Sequence, residues 1–106
     1  MAYIYHVSFD IDPAARSELE IGASLERIIG YLRVLLPSEE GHIESRAAST
    51  VDDPGKVHVV LESTWLDWDN VMHHRQSQLA EQKVLQEFQP EIELRHLTQR
   101  VLREID

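Results

Sequence analysis

The chain has 106 residues, 42% hydrophobic and 27% charged, with no low-complexity or Pro/Gly-rich stretch, so a single domain over residues 1–106 is expected. Ten Lys+Arg against nineteen Asp+Glu give a net charge of -9, which leaves no basic run for phosphates and speaks against nucleic acid and anionic membrane surfaces as partners. The lack of cysteine excludes disulfides, thiolate metal sites, iron–sulfur clusters and a cysteine nucleophile.

From Ala2 to Ile11, Tyr3, Tyr5, Val7, Phe9 and Ile11 alternate with Ile4, His6, Ser8 and Asp10, the period of a first strand. Asp12-Pro13 opens a helical turn that Gly22 is expected to interrupt. Ser24 then caps a main helix whose Leu25, Ile28, Ile29, Leu32, Leu35 and Leu36 recur at helical spacing, and Pro37 and Gly41 end it. His42 to Val51 reads as a weaker second strand. Asp52-Asp53-Pro54-Gly55 makes a hairpin turn, and Lys56 to Leu66 is a third strand rich in Val, Leu, Thr and Trp.

Asp67 caps a second helix through Trp68, Val71, Met72 and Leu79. The apolar stripe then shifts to Val84, Leu85 and Phe88, so a kink is expected near Ala80 to Lys83. Pro90 stops this helix, and Ile92 to Leu102 reads as a fourth strand. The N-terminal Met-Ala-Tyr-Ile-Tyr-His-Val lacks the basic start and long apolar core of a signal peptide, and no apolar run approaches the ~20 residues of a membrane span. A cytoplasmic location and no membrane association are the resulting expectations.

This element order fits an α+β, ferredoxin-like βαββαβ domain, a four-stranded antiparallel sheet with two helices on one face. The other sheet face is left bare. An apolar patch there would be covered by the same face of a second copy, so a homodimer is expected.

His6, Ser8 and Asp10 share parity on the first strand, as do His58, Glu62 and Thr64 on the third, its expected neighbour. His96, Thr98 and Arg100 on the fourth strand and Glu44 and Arg46 on the second extend this surface if the registers agree. Imidazoles that titrate near neutrality beside carboxylates and a guanidinium are the ingredients of a general-base site. The competing reading is a semi-polar sheet face whose histidines bond across strands or at a dimer interface. A metal site at His6, His58 and His96 is a weaker option, because no short ligand spacing such as His-Glu-x-x-His is present. No Gly-rich phosphate loop, dinucleotide fingerprint or nucleophile elbow appears.

The segment Glu62-Ser63-Thr64-Trp65-Leu66-Asp67-Trp68-Asp69-Asn70-Val71-Met72-His73-His74 resembles the strand-to-helix junction of the antibiotic biosynthesis monooxygenase-like domains. Trp65, Asp67, Val71 and His74 stand where that family has its Trp, acidic, apolar and His positions. Glu62 precedes the Trp by three residues, where the family's carboxylate precedes it by two. The resemblance implies a dimeric α/β barrel. Its haem-degrading members carry an Asn on strand one, a second Trp on the second helix and a His farther along. This chain has no Asn on strand one, His74 in place of that Trp, and Val84 near the place of that His, so haem degradation is disfavoured.

What the resemblance further implies is cofactor-independent oxygenation of a small aromatic or phenolic molecule, with no cofactor and no metal. His6, His58 or His74 would take the substrate proton, Trp65 would line the site, and Arg46 and Glu62 would bind the substrate, Arg46 stabilising its charge. The alternative is a non-catalytic module that binds a small apolar ligand or a partner protein.

Overall fold

Alternation along the first strand decides which side of the sheet becomes the core. In the computed structural model, which describes residues 1–50 and 52–105, Tyr5, Val7, Phe9 and Ile11 of β1 (Tyr3–Ile11) are all buried. They face a layer made of α1 (Glu18–Leu35), α2 (Trp68–Ser77) and α3 (Leu79–Phe88). β2 (His42–Ser49), β3 (Val57–Trp65) and β4 (Thr98–Arg103) complete one antiparallel sheet of order β2-β3-β1-β4, the ferredoxin-like arrangement expected. On β3 the same parity buries Val59, Leu61, Ser63 and Trp65. No described helix is long and apolar enough to cross a membrane.

The first helix departs from its expected start. It begins at Glu18 and is capped by Ser17, whose Oγ accepts from the Glu20 backbone N–H at 3.1 Å and whose hydroxyl donates to the Glu20 carboxylate at 3.1 Å. Ser24 lies buried inside the helix instead of capping it, and Gly22 is carried through. An exposed helical glycine costs only about 1 kcal/mol, less than the cap and the buried Ile21, Ile28 and Leu32 together supply.

The second helix breaks at Gln78, ahead of the expected Ala80 to Lys83. Gln78 adopts a left-handed conformation (φ 51°, ψ 30°), and the Ser77 hydroxyl donates to the His74 carbonyl at 2.6 Å, competing with the backbone ladder. The fourth strand is shorter than Ile92 to Leu102. Residues 89–97 turn through the 3₁₀ segment Leu94–His96, which buries Ile92 and Leu97 without pairing them in the sheet. The second strand ends at Ser49, and Val51 lies outside the described residues.

One glycine is required by geometry. Gly41 sits at φ 82°, and a Cβ there would collide with the Asn70 side chain. Its carbonyl accepts from the Leu66 N–H at 2.8 Å, which ties the start of β2 to the end of β3 and sets His42 against Trp65.

The sheet face without helices is mixed and is not the large apolar patch expected. Ile4, Val60 and Leu102 alternate there with His6, Asp10, Arg46, His58, Glu62 and Arg100, because the even-numbered positions of β1 and β3 carry both kinds of residue.

Candidate functional site

Strand register settles the polar set seen in the sequence. His6 lies directly opposite Glu62 and Asp10 opposite His58, while Arg46 pairs with Glu62 from β2 and Arg100 with His6 from β4. His6 Nδ1 is 2.9 Å from Glu62, Arg46 donates to the other Glu62 oxygen at 3.0 Å, and His58 Nδ1 is 2.6 Å from Asp10. These contacts hold the Asp10 and Glu62 carboxyls below the usual range, the histidine hydrogen bond being the largest cause in each case. His96 is outside the sheet, where its ring accepts from the Glu93 backbone N–H at 3.0 Å. Among the described residues, no three His, Asp or Glu side chains form a group able to hold a metal ion.

Behind the sheet lies a cavity of about 120 Å³ between the strands and the helix layer, walled by Tyr5, Leu32, Leu36, Leu61, Ser63 and His74. Trp65 is fully buried, donates its indole N–H to Ser63 Oγ at 2.8 Å, and stacks on His74 with ring centres 4.6 Å apart and planes 24° from parallel. Tyr5 meets the edge of the same imidazole at 5.3 Å. The Asp67 cap on Asn70 starts α2, and one-turn spacing then brings Val71 and His74 inward and leaves His73 exposed.

Burial, with His42 and His73 nearby, holds the His74 imidazole down to about 4, so it is neutral at pH 7. Its Nδ1 lies 3.2 Å from Glu39 Oε2, a bond that a neutral ring makes by donating from Nδ1. Nε2, which has no hydrogen-bond partner among the described residues, is then a lone-pair acceptor on a residue that lines the cavity.

The sheet therefore separates the sequence-derived site residues. His6, His58, Arg46 and Glu62 bond to one another or to Asp10 on the open face, while His74 and Trp65 meet behind it. Arg46 and Glu62 border the cavity at its β2 edge, but their charged ends pair on the open side. His6 and His58 do not line it, and neither does Trp65, which was expected to and instead stacks behind His74.

Four polar residues escaped the sequence reading: Glu39, Ser63, Glu81 and Gln99. Of these, Glu81 carried a sequence signal, its helical spacing with the apolar Val84 and Phe88, and the structure buries it to 1% exposure. Both its carboxyl oxygens are buried without a hydrogen-bond partner.

Fold and cavity together define a ferredoxin-like α+β domain with a small chamber between its sheet and its helices. Neither a family model nor a curated protein sequence matches the chain. Solved structures do. Rv0793 from Mycobacterium tuberculosis is 24% identical, with a TM-score of 0.62 over 100% of this chain and 97% of that one. A candidate antibiotic biosynthesis monooxygenase from Nitrosomonas europaea is 13% identical, with a TM-score of 0.58 over 98% and 90%. A dimeric ferredoxin-like protein of unknown function from Jannaschia sp. CCS1 is 13% identical, with a TM-score of 0.60 over 96% and 99%. The chain thus has the fold of the monooxygenase-like and dimeric ferredoxin-like proteins.

Proposed function

We propose that the chain is a homodimeric protein that takes a single-ring, hydroxyl-bearing molecule into the cavity behind its sheet and oxygenates it without a cofactor. The observation that carries this reading is the buried, neutral His74, with Nδ1 committed to Glu39 and Nε2 free as an acceptor for a ligand hydroxyl. Size limits the ligand to at most one ring: this chamber of about 120 Å³ is somewhat smaller than the roughly 150 Å³ apolar cavity known to hold benzene. Tyr5 supplies a flat aromatic wall that a ring prefers, and Trp65, outside the lining, stacks on the His74 ring that faces it.

His74 then accepts the hydroxyl proton as the electron-rich anion reacts with dioxygen. An imidazole held near 4 is a weak base. Taking a proton from an unactivated phenol near 10 costs about 8 kcal/mol. Acidic phenols and enols are therefore the favoured substrates. The dimer is proposed through the mixed open face of the sheet, in keeping with the dimeric ferredoxin-like neighbour.

The weak basicity of His74 also favours a second reading, ligand binding without turnover. An oxygen electrode separates the two. With a panel of acidic phenols and enols, oxygen uptake is expected in the wild type and roughly a hundredfold less in His74→Phe. Saturable binding with no uptake would leave only the second reading, and no binding at all would remove both.

A further inference from the structure

Glu81 is a buried carboxyl that neither packing nor pairing explains. It projects from α3 with 1% exposure, and neither oxygen has a hydrogen-bond partner among the described residues. Its neighbour is Tyr5 on β1, itself 1% exposed and part of the cavity wall. Gln99 on β4 donates to the Tyr5 oxygen from Nε2 at 3.1 Å, so the phenolic proton must point elsewhere.

We propose that Glu81 is a positioning residue that decides, by its protonation, whether Tyr5 offers its proton to a ligand in the cavity. When Glu81 is ionised, the Tyr5 O–H donates to the carboxylate and the cavity wall has no donor there. When Glu81 is protonated, its own O–H donates to the Tyr5 oxygen, alongside Gln99, and the Tyr5 proton turns to the ligand. No bond between heavy atoms changes; one proton from solvent forms an O–H bond on Glu81 and one hydrogen bond is redirected. The cavity then matches a small ring molecule with a hydroxyl for His74 and a carbonyl or other acceptor for Tyr5. This rests on the reading of the cavity as a ligand site.

Burial pushes the Glu81 carboxyl up from its ordinary value. Burial and the Glu81 carboxylate push Tyr5 up, which keeps its proton in place. The charged group that faces Glu81 from α2 is Arg75. Arg27 of α1 and Lys83 of α3 turn to Glu87 instead. His74, across the Tyr5 ring, is neutral.

The test uses two probes of equal size, phenol, which donates, and cyclohexanone, which can only accept. The indole N–H resonance of Trp65 reads their binding to the full chain between about pH 5 and about pH 8, where phenol stays neutral. Phenol affinity is expected to stay level, while cyclohexanone affinity falls roughly tenfold as pH rises, the worth of one hydrogen bond. Glu81→Gln, whose amide N–H can still donate to Tyr5, should abolish that fall and hold cyclohexanone at the low-pH affinity. Tyr5→Phe should bind cyclohexanone weakly at every pH.

A fall that persists in Glu81→Gln, or wild-type cyclohexanone binding that ignores pH while phenol binds, would overturn the inference alone. If neither probe binds, the ligand-site reading fails and this inference with it. A merely structural Glu81 would change both probes together at all pH values.

Discussion

The two sides of the sheet carry the same kinds of ionisable residue and treat them in opposite ways. On the open side each imidazole stands beside a carboxylate, His6 with Glu62 and His58 with Asp10, and the carboxyls are held low. On the covered side desolvation dominates: His74 is pushed down, and Glu81 and Tyr5 are pushed up. Abundance of histidine therefore does not mark a site in this fold. Three imidazoles were candidates, and only the one behind the sheet keeps a free ring nitrogen next to a cavity.

The largest effect is expected from removing the bulkiest buried side chain of the covered side. Trp65 is 1% exposed, stacked on His74 and bonded to Ser63. Trp65→Ala should cost about 3–5 kcal/mol, the price of a large buried aromatic. Trp68→Ala should cost much less, because Trp68 is 51% exposed and touches Tyr3 by an edge. Urea unfolding midpoints measured at unchanged slope give both numbers. Equal losses would mean that the covered side is not the packed one.

The next effect is on acid stability. His74 has a folded value of about 4, below its ordinary 6.5, so the unfolded chain binds this proton first. Stability from this group is complete above about pH 6.5 and is lost as pH falls towards 4. The loss over that window is about 3 kcal/mol. His74→Phe keeps a ring for Trp65 to stack on and removes the titration. The wild type's stability relative to this variant should therefore fall by that amount between pH 7 and pH 4, read by denaturant unfolding at each pH. A difference that stays level would show that the imidazole is reached by water or charged in the fold.

How much of this could be read in the sequence depends on the element. Period two along β1 and β3 fixes which residues share a face, so the His6, Asp10, His58 and Glu62 set was legible before the register placed the pairs directly opposite one another. The same parity held the warning that these histidines and His74 could not meet, since Trp65 and the core residues occupy the odd positions. The phase of α3 was harder to read. The left-handed turn at Gln78 resets the helical period between His74 and Glu81, so α2 does not predict which way Glu81 points. β4 misled because Ile92 and Leu97 bury through turns, and apolar spacing alone does not distinguish a turn from a strand.

The smallest expected effect probes the open side where it is wettest. Asp10 and His58 lie near the end of β1, with side chains 49% and 41% exposed. Lys56 reaches the second Asp10 oxygen at 3.6 Å. A double-mutant cycle of Asp10→Asn and His58→Ala should give a coupling below about 1 kcal/mol, shrinking further in high salt. A pair that is short in distance but open to water behaves this way, because solvent screens the attraction and each partner is satisfied without the other. If the coupling instead exceeds about 2 kcal/mol and ignores salt, this end of the face is not solvated. A dependence of that coupling on protein concentration would then identify the cover as a second copy of the chain and extend the proposed dimer contact to the end of β1. The contrast would then lie between two buried sides, one whose carboxylates are held low by their histidines and one where desolvation sets the protonation of His74 and Glu81.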